Sequence, residues 1–228
     1  MSGAIPKRSR AASEFVPDNP GSQYDNRVAI YGHSQVAKLS SIENGRPIYY
    51  RGGQGRDKSF SLRYFAVPGG RVEDLFTHRH RETIKLLRPR LVFLLIGSND
   101  VVPNTNVRGV ATRIKDLALE LVRDSGTEVR ILELEARVKT DKNGVSPTEY
   151  NTIRKGINNL LRRRLRETRD IFFSVPINTW DLCCDGVHMD ITCRHRIRQK
   201  IIDLSIRRME VDEGFPALPL VPPPPGFQ

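Results

Sequence analysis

The chain has 228 residues, 38% of them hydrophobic, with 37 Lys and Arg against 26 Asp and Glu and a net charge of +11. That length suits one large domain or two small ones with a real core, and no apolar run approaches the ~20 residues of a membrane span. The opening stretch MSGAIPKRSRAASEF lacks the apolar core of a secretory leader, and three cysteines, two of them adjacent, do not make a disulfide framework; both features predict an intracellular protein, cytoplasmic or nuclear. The positive surplus fits a polyanionic partner (nucleic acid, an acidic membrane or an acidic substrate) and fits equally a surface of solvated arginines.

Residues 1–26 are polar and carry Pro6, Pro17, Pro20, Gly21 and the basic cluster Lys7-Arg8-Ser9-Arg10; they read as a flexible basic arm. The first strand is predicted over 27–31, in the apolar run Val28-Ala29-Ile30-Tyr31, and it ends at Gly32-His33-Ser34 before a helical pattern from Gln35. Residues 43–61 read as irregular apart from Ile48-Tyr49-Tyr50, with Arg51-Gly52-Gly53-Gln54-Gly55-Arg56 as a mobile tip that lacks the Walker spacing of a phosphate loop. A second strand over 62–67 closes at Pro68-Gly69-Gly70, and a helix is predicted over 71–87 with Val72, Leu75 and Phe76 on one face. Arg90-Leu91-Val92-Phe93-Leu94-Leu95-Ile96 is the strongest strand signal, a short apolar run as a central parallel strand covered on both faces should be. It runs into Gly97-Ser98-Asn99-Asp100, and a helix follows with Val110, Ile114, Leu117 and Leu121 in register.

A fourth strand is predicted over 128–134, with Val129 and Ile131 on one face and Leu132 and Leu134 on the other; Asp141-Lys142-Asn143-Gly144 is a turn. A helix over 147–169, a fifth strand over 171–175, a loop holding Asp185 and His188, and a last helix over about 191–209 complete the domain at about residue 210. Residues 211–228, with Pro216, Pro219 and Pro222 to Pro225, read as an extended tail. Strands alternating with helices predict a three-layer α/β/α sandwich around a mostly parallel five-stranded sheet.

In such a sheet the loops after the strands share one edge. Four of them carry suggestive residues: Ser34, Gly69, Asn99, and Asp185 with His188. Singly, each has a plainer reading. Ser34 fits a helix N-cap as well as a nucleophile, with the following helix's N-terminus facing any oxyanion formed there. Asn99 and Asp100 fit a cap on the next helix, and His188 fits a surface histidine. Jointly, they fit acyl transfer. A serine hydroxyl needs a base, which a neutral imidazole supplies. A carboxylate three residues before that histidine can fix its tautomer, and N–H donors must meet the oxyanion.

Gly32-His33-Ser34, Gly69, Gly97-Ser98-Asn99-Asp100 and Asp185-Gly186-Val187-His188 resemble the four blocks of the SGNH (GDSL-type) hydrolases, in that family's order. The resemblance implies a flavodoxin-like fold and hydrolysis of short-chain, acetyl-type esters or thioesters without metal or cofactor. It assigns Ser34 as nucleophile, His188 as base and Asp185 as its partner. The oxyanion hole would be Ser34, Gly69 and Asn99, with Gly70 an alternative to Gly69. His33 departs from the pattern, standing where the family usually has aspartate. The serine loop together with the basic surface also resembles, more loosely, esterase-like domains encoded by LINE-type retrotransposons, which implies an alternative: an SGNH-fold protein, weakly active or inactive, that binds nucleic acid or serves as a scaffold.

Cys183, Cys184, His188, Cys193 and His195 cluster in sequence, but adjacent cysteines lack the spacer of a zinc site and read as inert thiols. His78 and His80 sit among arginines and read as solvated. Arg162, Arg163, Arg164, Arg166 and Arg169, with Arg194, Arg196, Arg198, Lys200, Arg207 and Arg208, mark two basic helices. The expected partners are therefore a small acyl ester and, through this surface, nucleic acid.

Overall fold

A computed structural model describes residues 27–42, 46–52, 57–140, 144–166, 168, 171–174 and 185–211. The basic arm, the tip at 53–56, the turn at 141–143, Arg169, Cys183, Cys184 and the tail from 212 onward lie outside the described residues.

Six strands, β1 (Arg27–Gly32), β2 (Ile48–Arg51), β3 (Asp57–Ala66), β4 (Leu91–Leu95), β5 (Glu128–Leu132) and β6 (Ile171–Ser174), form one sheet in the order β2-β3-β1-β4-β5-β6. All neighbours are parallel except β2 and β3, which pair antiparallel from Ile48 opposite Phe60 to Arg51 opposite Asp57. The sheet thus has six strands where the sequence predicts five. The added strand, β2, is short, has Tyr49 and Arg51 exposed and Ile48 half-buried, and holds on at the edge through the buried Tyr50, whose ring meets Phe60 edge-on at 6.1 Å. Without β2, the parallel strands follow the doubly wound order of flavodoxin-like sheets, which reverses direction between β1 and β4.

β4 lies at the centre, every residue buried. Its side chains alternate between the two cores, as a period of two requires. Leu91, Phe93 and Leu95 join Val28, Ile30 and Leu132 under α1 (Ser34–Ser40) and α6 (Ile191–Val211), with Val36, Leu39, Cys193, Ile197 and Ile201. Val92, Leu94 and Ile96 join Ala29, Tyr31, Val129 and Ile131 on the opposite face. That core is covered by α2 (Val72–Thr77), α3 (Arg79–Leu87), α4 (Val107–Ser125) and α5 (Pro147–Arg164). These are the three layers the alternating pattern predicts.

β3 begins at Asp57 where the sequence predicts a strand only from 62, and three further boundaries differ from the sequence reading. The helix over 71–87 is broken at His78, which takes an extended conformation and caps α3, its Nδ1 accepting the N–H of His80 at 3.2 Å. β5 ends at Leu132, so Leu134 packs with Val129 and Ile131 and not with Leu132. α5 stops at Arg164: Leu165 closes it, its N–H donating to Leu161 O, and Thr168 Oγ1 bonds the carbonyls of Leu165 and Ile171 as the chain turns into β6.

Candidate active site

The turn from β1 into α1 is dictated by crowding. A Cβ on Gly32 would lie 1.9 Å from the carbonyl oxygen of Leu95, so only glycine allows β1 and β4 to approach there. The next residue ties the same strands together, His33 N–H donating to Leu95 O at 3.1 Å. The helix cap is His33 and not Ser34: its Nδ1 accepts the N–H of Gln35 at 3.3 Å, and Ser34 is the first helical residue. Relieved of the capping role, the Ser34 hydroxyl faces a cleft of about 430 Å³ at the carboxyl edge of the sheet.

His188 reaches the same cleft from the loop before α6, its Nε2 3.5 Å from Ser34 Oγ. This is loose for a hydrogen bond but within the range of nucleophile–base pairs before substrate binds. Its Nδ1 lies 2.8 Å from Asp185 Oδ2, while Asp185 Oδ1 accepts the N–H groups of Val187 and His188, each at 2.9 Å. Partial burial works against ionisation of Asp185, but these backbone donors and the ring outweigh it and hold the carboxyl down to about 2. The carboxylate is therefore charged throughout the working pH range. Opposite it Nδ1 carries the proton, which leaves the lone pair of Nε2 directed at Ser34.

Asn99 belongs to a single 3-10 turn, Ser98–Asp100, that follows β4. One of its amide hydrogens goes to Gly70 O at 3.0 Å, and the amide has a second to offer the cleft it lines. Gly70 N–H is occupied by Val67 O at 2.9 Å, whereas Gly69, at φ 75°, lines the cleft. Asn99 and Asp100 do not cap α4; Asn106 does, accepting from Gly109 N–H at 2.9 Å.

Asp100 instead reaches the N–H of Val72 at the start of α2, 3.1 Å away, anchoring the segment just after Gly69 and Gly70. Burial pushes its carboxyl up to about 6, against the pull of the Val72 N–H and Arg113. The folded state then binds more protons than the unfolded chain between about pH 4 and 6, so this group's contribution to stability falls as pH rises through that window. Asp100→Asn keeps an acceptor for Val72 and removes the buried charge. Its melting temperature, followed by circular dichroism, is expected to rise relative to the parent between pH 4 and 7; a constant difference would contradict a titrating Asp100.

Several cleft residues carry no motif. Gln35 donates to Val187 O at 3.0 Å and accepts from Met189 N–H at 3.3 Å, fastening the His188 loop to α1. Glu135, Arg137 and Thr140 line the wall beyond β5, and Val138 N–H donates to Gly186 O at 3.0 Å. The rule that loops after parallel strands share one edge applies to this segment too, but Glu-Leu-Glu-Ala-Arg matches no catalytic pattern and so does not stand out in the sequence. Cys193 is buried in the α1/α6 core and His195 is exposed. Among the described residues no three His, Cys, Asp or Glu gather as metal ligands, and no helix is long and apolar enough to cross a membrane.

No protein-family model matches the sequence, and no curated protein matches it significantly. Solved structures do match. A candidate acylhydrolase of Bacteroides fragilis is 18% identical with a TM-score of 0.61, over 83% of this chain and 90% of its own. A GDSL-like lipase of Bacteroides thetaiotaomicron is 17% identical with a TM-score of 0.56, over 81% and 89%. A psychrotrophic esterase of Pseudoalteromonas, in a structure inhibited by monoethylphosphonate, is 15% identical with a TM-score of 0.56, over 81% and 98%. Six strands in this order, flanking helices on both faces and these likenesses together establish that the chain has the fold of the SGNH (GDSL-type) hydrolases.

Proposed function

We propose that the chain is a serine esterase that cleaves short-chain, acetyl-type acyl esters through Ser34, His188 and Asp185. The alignment of Ser34 Oγ, His188 and Asp185 across one edge of the sheet carries this reading. His188 Nε2 takes the hydroxyl proton as Oγ bonds to the acyl carbon. The tetrahedral oxyanion accepts from the N–H groups of Ser34 and Gly69 and from the Asn99 amide, worth about 3–4 kcal/mol of barrier per donor. The proton passes to the departing alcohol, and water, activated by the same imidazole, releases the acid and restores Ser34. The cleft walls, His33, Gln35, Glu135, Arg137 and Thr140, are polar, which favours a small acyl group over a long aliphatic chain.

Purified protein is expected to hydrolyse nitrophenyl acetate faster than the octanoate. A serine-reactive phosphonate should stop turnover and label Ser34 alone, as read by peptide mass spectrometry. Labelling elsewhere, or turnover that survives complete labelling, would reject the reading.

A second reading, a nucleic-acid-binding protein that keeps the fold, draws support from α5. Lys155 and Arg163 on that helix and Arg166 just beyond it lie exposed along one side. Elsewhere the basic helices are more engaged: Arg162 meets Glu133, Arg164 bonds Thr112, Arg194 bonds Met189 O, and Arg208 meets Glu128. Single-stranded RNA is expected to bind without sequence preference and to lose roughly a thousandfold in affinity from low to moderately high salt, as counterion release dictates. Arg163→Glu with Arg166→Glu should weaken binding and spare ester hydrolysis. Fluorescence anisotropy across a salt series decides, and salt-insensitive or absent binding would leave the charge without a nucleic-acid role.

A further inference from the structure

We propose that His33 is a positioning residue: its neutral imidazole, protonated on Nε2, clasps the nucleophile's helix to the oxyanion-hole turn. The proposal rests on the esterase reading of the same site and concerns the one block position at which the sequence departs from the SGNH pattern.

The tautomer follows from geometry. Nδ1 sits 3.3 Å from the backbone nitrogen of Gln35, which can only donate, so Nδ1 must keep its lone pair. A neutral ring then carries its hydrogen on Nε2, which lies 2.7 Å from Ser98 Oγ and donates to it. The two partners belong to the two loops that matter. Gln35 follows Ser34 in the first turn of α1, and Ser98 precedes Asn99 in the turn after β4. One ring therefore spans the point where the sheet reverses direction and sets the nucleophile relative to an oxyanion donor.

The surroundings keep the ring neutral. His33 and Ser98 are almost wholly buried. Three titratable or charged groups face the imidazole from other elements. Glu135 Oε1, from the segment after β5, lies 3.9 Å from Nε2 and favours the charged ring. Arg137, from the same segment, opposes it and donates to Ser98 O at 3.2 Å, its guanidinium over the Tyr150 ring of α5 at 4.3 Å. His188 opposes it from the loop before α6, and burial, the largest influence, does so as well; the sum is a histidine harder to protonate than usual. Protonating Nδ1 would set two N–H groups against each other at the helix cap, so the clasp exists only in the neutral form.

The test separates the clasp from the cap. His33→Asn keeps a side-chain oxygen for the Gln35 N–H but is too short to bridge to Ser98, and Ser98→Ala removes the bridge from its other end without touching the cap. Each is expected to lower kcat for nitrophenyl acetate about 10- to 100-fold per phosphonate-titrated site, with KM little changed, the cost of a misplacement of about 1 Å. The double variant should lose no more than the worse single. A purely structural role would instead reduce the number of titratable sites and leave kcat per site unchanged, and that result, or losses that multiply, would overturn the proposal. Nitrogen-15 NMR of the histidine rings needs no turnover: His33 should show a protonated Nε2 and an unprotonated Nδ1 from pH 6 to 8. A proton on Nδ1 overturns the clasp. Absent turnover and absent phosphonate labelling, with the tautomer as stated, would reject the esterase reading alone.

Discussion

Ser34→Ala, His188→Ala and the variant carrying both are expected to lose the same share of kcat, on the order of 10⁵- to 10⁶-fold, when nitrophenyl acetate hydrolysis is followed at pH 8. The equality is the informative part. In the proposed mechanism His188 acts only by moving the proton of Ser34 Oγ, to which its Nε2 is the facing nitrogen at 3.5 Å. Without the serine there is nothing for the base to activate, and without the base the hydroxyl is a poor nucleophile, so either change removes the whole unit. What survives in all three should be the same small residue, supplied by the Ser34 and Gly69 N–H groups and Asn99, which none of these substitutions alters chemically. Losses that multiplied in the double variant would mean that the two side chains work on different steps or different sites.

The sequence was most legible where one physical signal dominated. Leu91 to Ile96 reads as a central strand because nothing but burial on both faces tolerates such a run, and all of β4 is buried. The sequence places Ser34, Gly69, Asn99, Asp185 and His188 after strands, whose ends in a parallel sheet converge, and all five line one cleft; the roles proposed for them come from the family resemblance. What escaped was set by contacts between distant segments. Nothing in Gln35 announces that it will hold Val187 O and Met189 N–H, more than 150 residues away. The role of His33 depends on Ser98, which lies on another strand's loop. Ile48–Arg51 is a strand chiefly because β3 extends back to Asp57 to meet it, a pairing that local propensity does not contain. The break at His78 likewise comes from an imidazole capping α3, which a helical period of apolar residues cannot reveal.

Asp185→Asn should cost about 10⁴-fold in kcat near neutral pH while leaving the fold and the Ser34 hydroxyl in place. The side chain makes three contacts: Oδ1 accepts the N–H groups of Val187 and His188 at 2.9 Å, and Oδ2 faces His188 Nδ1 at 2.8 Å. An asparagine can match these in two orientations. Turning its oxygen to the ring would set its NH₂ group against two backbone N–H donors and forfeit both of those bonds. Turning its oxygen to the backbone keeps both of those bonds and presents NH₂ to Nδ1, which the imidazole accommodates by moving its own proton to Nε2. The second orientation wins, and it puts a hydrogen where the lone pair must be: Nε2–H then points at Ser34 Oγ and cannot accept its proton. The pH profile provides an independent check. In the parent, the Asp185 carboxyl is held down to about 2, so the pH profile of activity should carry no carboxylate step from this residue. The Asn variant should reach only a far lower plateau, with phosphonate labelling of Ser34 slowed in proportion. A loss under tenfold, or labelling at the parental rate, would mean that Asp185 does not set the histidine's tautomer.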